Sequence, residues 1–80
     1  MTLNELRAVA KVSQDGWLVS WTPEGYIVSK GVDPTMRLEA ARGGVRTFAS
    51  LDAAARLLRE DLRVGSYFVR DRTPGQQDLF

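Results

Sequence analysis

Two β-rich runs on either side of a short turn constrain the fold of this sequence most strongly. Residues 17–21 and 26–30 are rich in aromatic and β-branched residues, which favour strands. Between them, residues 22–25 have proline at the second turn position and glycine at the fourth, as β-turns prefer. The pattern predicts an antiparallel hairpin in which Trp21 lies opposite Tyr26.

The predicted register collects large side chains on one face of the hairpin: Trp17, Val19, Trp21, Tyr26 and Val28. We first interpret this face as core, because burial of large apolar area dominates folding. In the alternative, Leu18 and Ile27 turn inward and the aromatic side chains face solvent. They would then form a platform on which bases or a partner could stack. The residues of this platform are Trp17, Trp21 and Tyr26.

Two helices are predicted from capping signals followed by apolar periodicity. Thr2 and Glu5 have the spacing of a capping box, and a helix is expected from about Leu3 to Gln14. Ser50 is a good N-cap for a second helix, residues 51–62.

Three further strands are predicted. Residues 36–41 mostly alternate apolar and polar side chains, and residues 45–48 return after the tight turn of Gly43 and Gly44. Residues 66–70 form a short last strand, which follows a helix and can therefore join the sheet parallel to a neighbour.

The predicted order is α-β-β-β-β-α-β, which indicates an α+β two-layer domain. We expect a mainly antiparallel sheet with two helices on one face. Residues 1–70 are assigned to this single domain and residues 71–80 to a flexible C-terminal tail. An unpaired edge strand in such a sheet makes a symmetric homodimer a reasonable expectation.

The composition argues against most catalytic chemistry. The 80 residues include no cysteine and no histidine, which excludes thiol nucleophiles, imidazole acid–base catalysis and zinc sites built on these side chains. We therefore expect a non-enzymatic protein with no cofactor and no metal. No apolar run reaches membrane-spanning length and the first residues do not resemble a signal peptide, so a cytoplasmic protein without membrane contact is expected.

Eleven basic residues balance ten acidic ones, but the positive excess is local. It lies in the predicted second hairpin, where Arg37 and Arg46 project from the polar faces of two strands and Arg42 lies at the turn. Such a ribbon could follow a phosphate backbone, which makes weak DNA binding an alternative function, with or without the aromatic platform.

The last five residues, Gln76-Gln77-Asp78-Leu79-Phe80, resemble the peptide by which bacterial replication and repair proteins bind the sliding clamp. Gln76, Asp78, Leu79 and Phe80 match that pattern, and Gln77 stands where leucine is commoner. The resemblance implies that Leu79 and Phe80 fill an apolar pocket of the clamp while Gln76 hydrogen-bonds at its rim. In the alternative, Leu79 and Phe80 fold back over an exposed edge of the core.

The body of the chain resembles small accessory proteins of bacterial plasmids and integrative elements, some of them partition-associated. The early leucine-containing helix, the hairpin and the stretch 46–55 carry this resemblance. It implies a protein-binding module in the maintenance of a mobile element, with the clamp as the suspected partner. A small inhibitor that docks on a nucleoprotein complex is a third alternative.

Overall fold

The first hairpin forms with the predicted register. In the computed structural model, which describes residues 1–71, β1 (Trp17–Thr22) and β2 (Gly25–Lys30) are antiparallel. Trp21 pairs with Tyr26, and the neighbouring pairs follow in the same register. The local turn chemistry of residues 22–25 therefore predicts the pairing of the two strands correctly.

Helix α1 (Leu3–Val12) begins at the predicted capping box. The Glu5 N–H donates to Thr2 Oγ1 at 3.2 Å, and the Thr2 N–H donates to Glu5 Oε1 at 2.8 Å. The helix ends two residues earlier than predicted, because Ser13 is extended and its carbonyl accepts the Trp17 indole N–H at 3.1 Å.

Helix α2 (Leu51–Arg56) is capped by Ser50, as predicted, and continues as a five-residue π-helix, Leu57–Asp61. In α-helical geometry Asp61 would lie on the same side as Leu57, four residues earlier, which is buried. The wider turn instead places Leu62 next to Leu57, whose carbonyl accepts the Leu62 N–H at 3.1 Å. Asp61 is thereby exposed and lies 3.4 Å from Arg7 Nη2.

Strand β3 (Phe68–Arg70) completes a mixed three-stranded sheet of order β2-β1-β3. It runs parallel to β1, with Leu18 opposite Phe68 and Ser20 opposite Arg70. The α+β class is confirmed, but the sheet has one antiparallel and one parallel pairing.

The predicted third and fourth strands, residues 36–41 and 45–48, are wrong. A 3-10 turn (Pro34–Met36), capped by Asp33, includes the first residue of the first segment, and both segments contribute only isolated bridges. Both segments meet the same outer edge of β2, the first beside Ser29 and the second beside Tyr26. Each covers a different part of that edge, and the two segments meet each other across the predicted turn at one further bridge, between Glu39 and Val45. Single bridges do not make a continuous ladder.

One core lies between the sheet and the helices. Trp17, Val19 and Val28 from one face of the hairpin belong to the same buried cluster as residues from both helical segments. The other buried members of this cluster are Leu6, Ala10, Leu38, Phe48, Ala54, Leu57, Leu58, Leu62 and Val64. Both helical layers therefore pack on the same face of the sheet.

We predict that Gly25→Ala lowers the free energy of unfolding by at least about 2 kcal/mol. Gly25 has φ of +138°, and a Cβ there would lie 2.7 Å from the Phe48 carbonyl oxygen, which bonds to Tyr26. Gly44→Ala is the matched control, since Gly44 has φ of +75° in open space and its replacement costs about 1 kcal/mol. Urea unfolding measures both, and equal losses would contradict the steric argument.

Candidate functional site

The structure buries the first tryptophan of the predicted aromatic platform. Trp17 is 0% exposed, so it cannot stack on a base from solvent. Lys30 Nζ lies 6.0 Å from the Trp17 ring centroid and donates to the Asp15 carbonyl oxygen. Trp21 and Tyr26 are half-buried. The face of the hairpin that carries Trp17 thus belongs to the core.

On the opposite face of the sheet, Leu18, Ile27 and Ser29 are buried but do not belong to the core cluster that contains the helix residues. Strand pairing places Leu18 beside Phe68 and Ser20 beside Arg70, while Ser29 bridges to Arg37. We call this surface the arginine face; its residues are Leu18, Ser20, Ile27, Ser29, Arg37, Phe68 and Arg70. It combines two guanidinium groups, two hydroxyls and three apolar side chains.

A hollow of about 210 Å³ lies on the arginine face. Leu18 and Ile27, each 7% exposed, form its buried apolar part. Arg37 and Arg70 line the hollow from the two opposite edges of the sheet. Three strand spacings, or about 14 Å, separate them across the strands. The remaining lining residues are Ser20, Trp21, Thr22, Ser29, Gly31 and Val32. The lining therefore contains two cations and no carboxylate.

Neither arginine of this hollow forms an ion pair within residues 1–71. Arg37 also lines an adjoining hollow of about 270 Å³, whose one acidic residue is Glu24. Glu39, two residues after Arg37, contacts the Met1 ammonium through Oε2 at 2.5 Å. An anionic ligand on this face would therefore meet guanidinium groups that the described part of the chain leaves without a carboxylate partner.

An exposed aromatic ring borders the same face. Phe68 is 71% exposed and occupies the position on β3 next to Leu18. Phe68 lies two residues before Arg70 on the same strand, and residues 1–71 leave its ring open to contact.

The three arginines of the predicted basic ribbon do not share this face. Arg37 is half-buried on the arginine face, whereas the Arg46 guanidinium lies 4.8 Å from the ring centroid of Phe48, a core residue. Arg46 lines hollows with residues of α1 and of α2, and Arg42 is exposed at the turn. The tertiary structure thus separates Arg37 from Arg46 and brings it to the same hollow as Arg70.

Phe68 and Arg70 were not singled out by the sequence analysis. Their alternation in the last strand was visible, but their face depends on the parallel register between β3 and β1. No local turn sets that register, because the two strands are far apart in the sequence. The predicted clamp-binding residues Gln76, Asp78, Leu79 and Phe80 lie outside the described residues.

Two further features of residues 1–71 bear on function. They contain no group of three His, Cys, Asp or Glu side chains placed to hold a metal ion. Among their helices, none combines the length and the apolar character required to cross a membrane.

Comparison with models of protein families, with curated proteins and with solved structures finds no match for this chain.

The end of β3 is tied to the hairpin by a tyrosine. The Tyr26 hydroxyl donates to Asp71 Oδ1 at 3.1 Å. Partial burial of the phenol raises the pKa of Tyr26 above its ordinary value of 10.0, and the Asp71 carboxylate raises that pKa further. The hydrogen bond that holds Asp71 against the hairpin therefore depends on the protonated form of the Tyr26 phenol.

We predict that Asp71→Asn lowers the pKa of Tyr26, because it removes the charge and keeps a hydrogen-bond acceptor. Near-ultraviolet absorbance reports the titration, and Tyr67→Phe as background leaves Tyr26 as the remaining tyrosine. Because the pKa of Tyr26 is raised in the folded state, the protonated phenol contributes to stability. This contribution is fully present below the ordinary pKa of tyrosine and is lost as pH rises through the folded-state pKa of Tyr26. The same titration in urea is the control, and an unchanged pKa in folded Asp71→Asn would refute the prediction.

Proposed function

We propose that this protein is a non-enzymatic binding module that holds single-stranded DNA on the arginine face. The observation that carries the proposal is the hollow between Arg37 and Arg70, whose lining has two cations and no acid. Phosphate is the ligand group that such a pair of guanidinium groups suits best, because each offers several N–H donors in one plane.

A single strand fits this surface better than a duplex. The arginine face is one face of a three-stranded sheet with a shallow, mostly polar hollow, and within residues 1–71 no helix protrudes from it to enter a major groove. Phe68 offers an exposed ring on which an unpaired base can stack, and Ser20 offers a hydroxyl between the two arginines. Binding of this kind tolerates many base sequences.

The charge balance of the chain indicates weak, salt-sensitive binding. The formal net charge is only +1, so attraction comes from the local pair rather than from the whole molecule. Two phosphate contacts correspond to a slope of about −1.4 for the logarithm of the binding constant against the logarithm of salt concentration.

We predict that Arg37→Ala and Arg70→Ala each weaken binding of a fluorescent oligothymidine and reduce its salt slope by about 0.7. Phe68→Ala removes a stacking contact and weakens binding by about 1–3 kcal/mol. Fluorescence anisotropy at several salt concentrations measures these effects.

Arg42→Ala and Arg46→Ala are the matched controls, because they remove the same charge from other parts of the surface. They leave the affinity nearly unchanged if the arginine face is the site. If these two variants weaken binding while Arg37→Ala and Arg70→Ala do not, the basic ribbon binds DNA instead. Binding of an acidic peptide but not of oligothymidine would reject the nucleic-acid proposal.

A second candidate function is docking on the bacterial sliding clamp through residues 76–80. It is favoured by the sequence match at Gln76, Asp78, Leu79 and Phe80. A clamp-docking peptide in the same chain as a surface that binds single-stranded DNA would suit a module of DNA maintenance. The partition-associated role and the inhibitor role both stay predictions, and neither is favoured by a specific feature of residues 1–71.

We predict that Phe80→Ala weakens binding to a purified bacterial sliding clamp by at least about 2 kcal/mol, or about 30-fold, because it removes a buried anchor. Gln77→Leu restores the commoner residue and is expected to tighten the same complex. Surface plasmon resonance measures both, with Arg42→Ala as a control outside the peptide. Equal affinities of the parent chain and Phe80→Ala would exclude this mode of docking.

A further inference from the structure

The sheet has one edge that residues 1–71 leave unpaired. The outer edge of β2 is covered, because Tyr26 and Phe48 exchange two backbone hydrogen bonds of 2.8 Å and the Leu38 N–H donates to the Val28 carbonyl. At the opposite edge of the sheet, β3 pairs with β1, and in the described part of the chain no strand lies beside the outer edge of β3.

The unpaired edge has only part of the protection that usually prevents strands from associating. Edge strands are commonly protected by their shortness, by charged side chains (above all lysine), by proline or by a bulge. β3 is three residues long and carries one charged side chain, Arg70. Residues 66–70 contain no lysine and no proline, and they expose apolar side chains instead. Phe68 is 71% exposed and Val69 is 43% exposed. A strand of this composition favours pairing with another strand.

We propose that a second copy of this chain pairs with β3 in antiparallel fashion, with a two-fold axis through Val69. The two sheets then join into one sheet of six strands. In this register Val69 lies opposite Val69 of the second copy, and Phe68 lies opposite Arg70. One residue further out on each side, Tyr67 lies opposite Asp71.

The register is self-complementary. It places no like charges directly opposite each other, whereas an axis through Arg70 would oppose two arginines, which destabilises a strand pair. It also places the Arg70 guanidinium across from the Phe68 ring, and a guanidinium–ring contact of this kind is made at 4.8 Å by Arg46 and Phe48, two residues apart in one segment. Valine facing valine adds a β-branched pair, which favours sheets.

The two-fold axis determines how the faces align. In a continuous sheet, opposed residues share a face, so the helical layers of both copies lie on one side. The two arginine faces lie on the other side and form one surface. Stacking on Phe68 covers the plane of the Arg70 guanidinium but leaves its N–H groups available in that plane. The proposal rests on the β3 edge and does not require that DNA binds.

A cysteine at the axis tests the proposed contact directly. The chain has no cysteine of its own, and directly opposed residues of antiparallel strands have Cα atoms about 4.5–5.5 Å apart, within the range of a disulfide. Under mild oxidation, Val69→Cys is expected to form a covalent dimer of twice the 8.9 kDa chain mass. Val12→Cys is the matched control, because Val12 is 86% exposed on α1, and it should stay largely monomeric.

Light scattering on the purified full chain, without nucleic acid, provides the second measurement. The parent chain should approach twice the monomer mass as its concentration rises, and Val12→Lys should do the same. Val69→Lys and Val69→Glu should each be monomeric with an unchanged circular dichroism spectrum, and their equimolar mixture should regain the dimer mass. Val69 lies on the helix side of the sheet, so these variants do not alter the arginine face.

A parent chain that stays monomeric at every concentration would overturn the proposal, as would cross-linking of Val12→Cys as fast as Val69→Cys. The monomeric result would mean that another segment, such as residues 76–80, or another protein covers β3. A dimer mass that Val69→Lys leaves unchanged would place the contact elsewhere. If oligothymidine fails to bind while Val69→Cys cross-links, the proposed function fails and the dimer stands.

Discussion

The burial of Trp17 is the interaction on which the rest of the structure depends. Its ring lies in the core with residues of both helical segments, and its indole N–H bonds to the Ser13 carbonyl at 3.1 Å. This contact ends α1 and starts β1, and Lys30 from β2 lies over the ring. Truncating a buried tryptophan to alanine usually costs roughly 3–5 kcal/mol, a large share of the stability of a domain this small.

Because this core lies on one face of a three-stranded sheet, the other face is left for solvent or a ligand. A chain of 80 residues has two short helical segments within residues 1–71, and both pack on the Trp17 side. Leu18 and Ile27 on the opposite face line the hollow and lie outside the core cluster to which the helical segments of residues 1–71 contribute. Within residues 1–71, the same shortage of secondary structure leaves β3 with one partner strand. The proposed ligand site and the proposed dimer contact thus have a common origin in the small size of the domain.

Much of the fold could be predicted where the signal is local. The capping box of α1, the N-cap of α2 and the register of the first hairpin depend on residues within a few positions of each other. The prediction failed for residues 36–48, where alternation indicated two strands but both segments meet one edge of β2. The candidate site was predictable only in part. Arg37 was identified, but Arg70 and Phe68 at the opposite edge of the same face were not, since they are placed there by a parallel pairing that no local signal specifies.

The sequence by itself determined that this protein is an α+β domain without cysteine or histidine chemistry, and it determined which side chains share each face of the hairpin. Side-chain alternation within one strand follows from backbone geometry and needs no distant partner. Only the tertiary structure decided that the Trp17 face is core, that Arg37 and Arg46 separate, and that β3 places Arg70 beside the hollow. These outcomes depend on which distant segments pair with the sheet edges and which pack on the apolar face. Packing of the whole chain determines both.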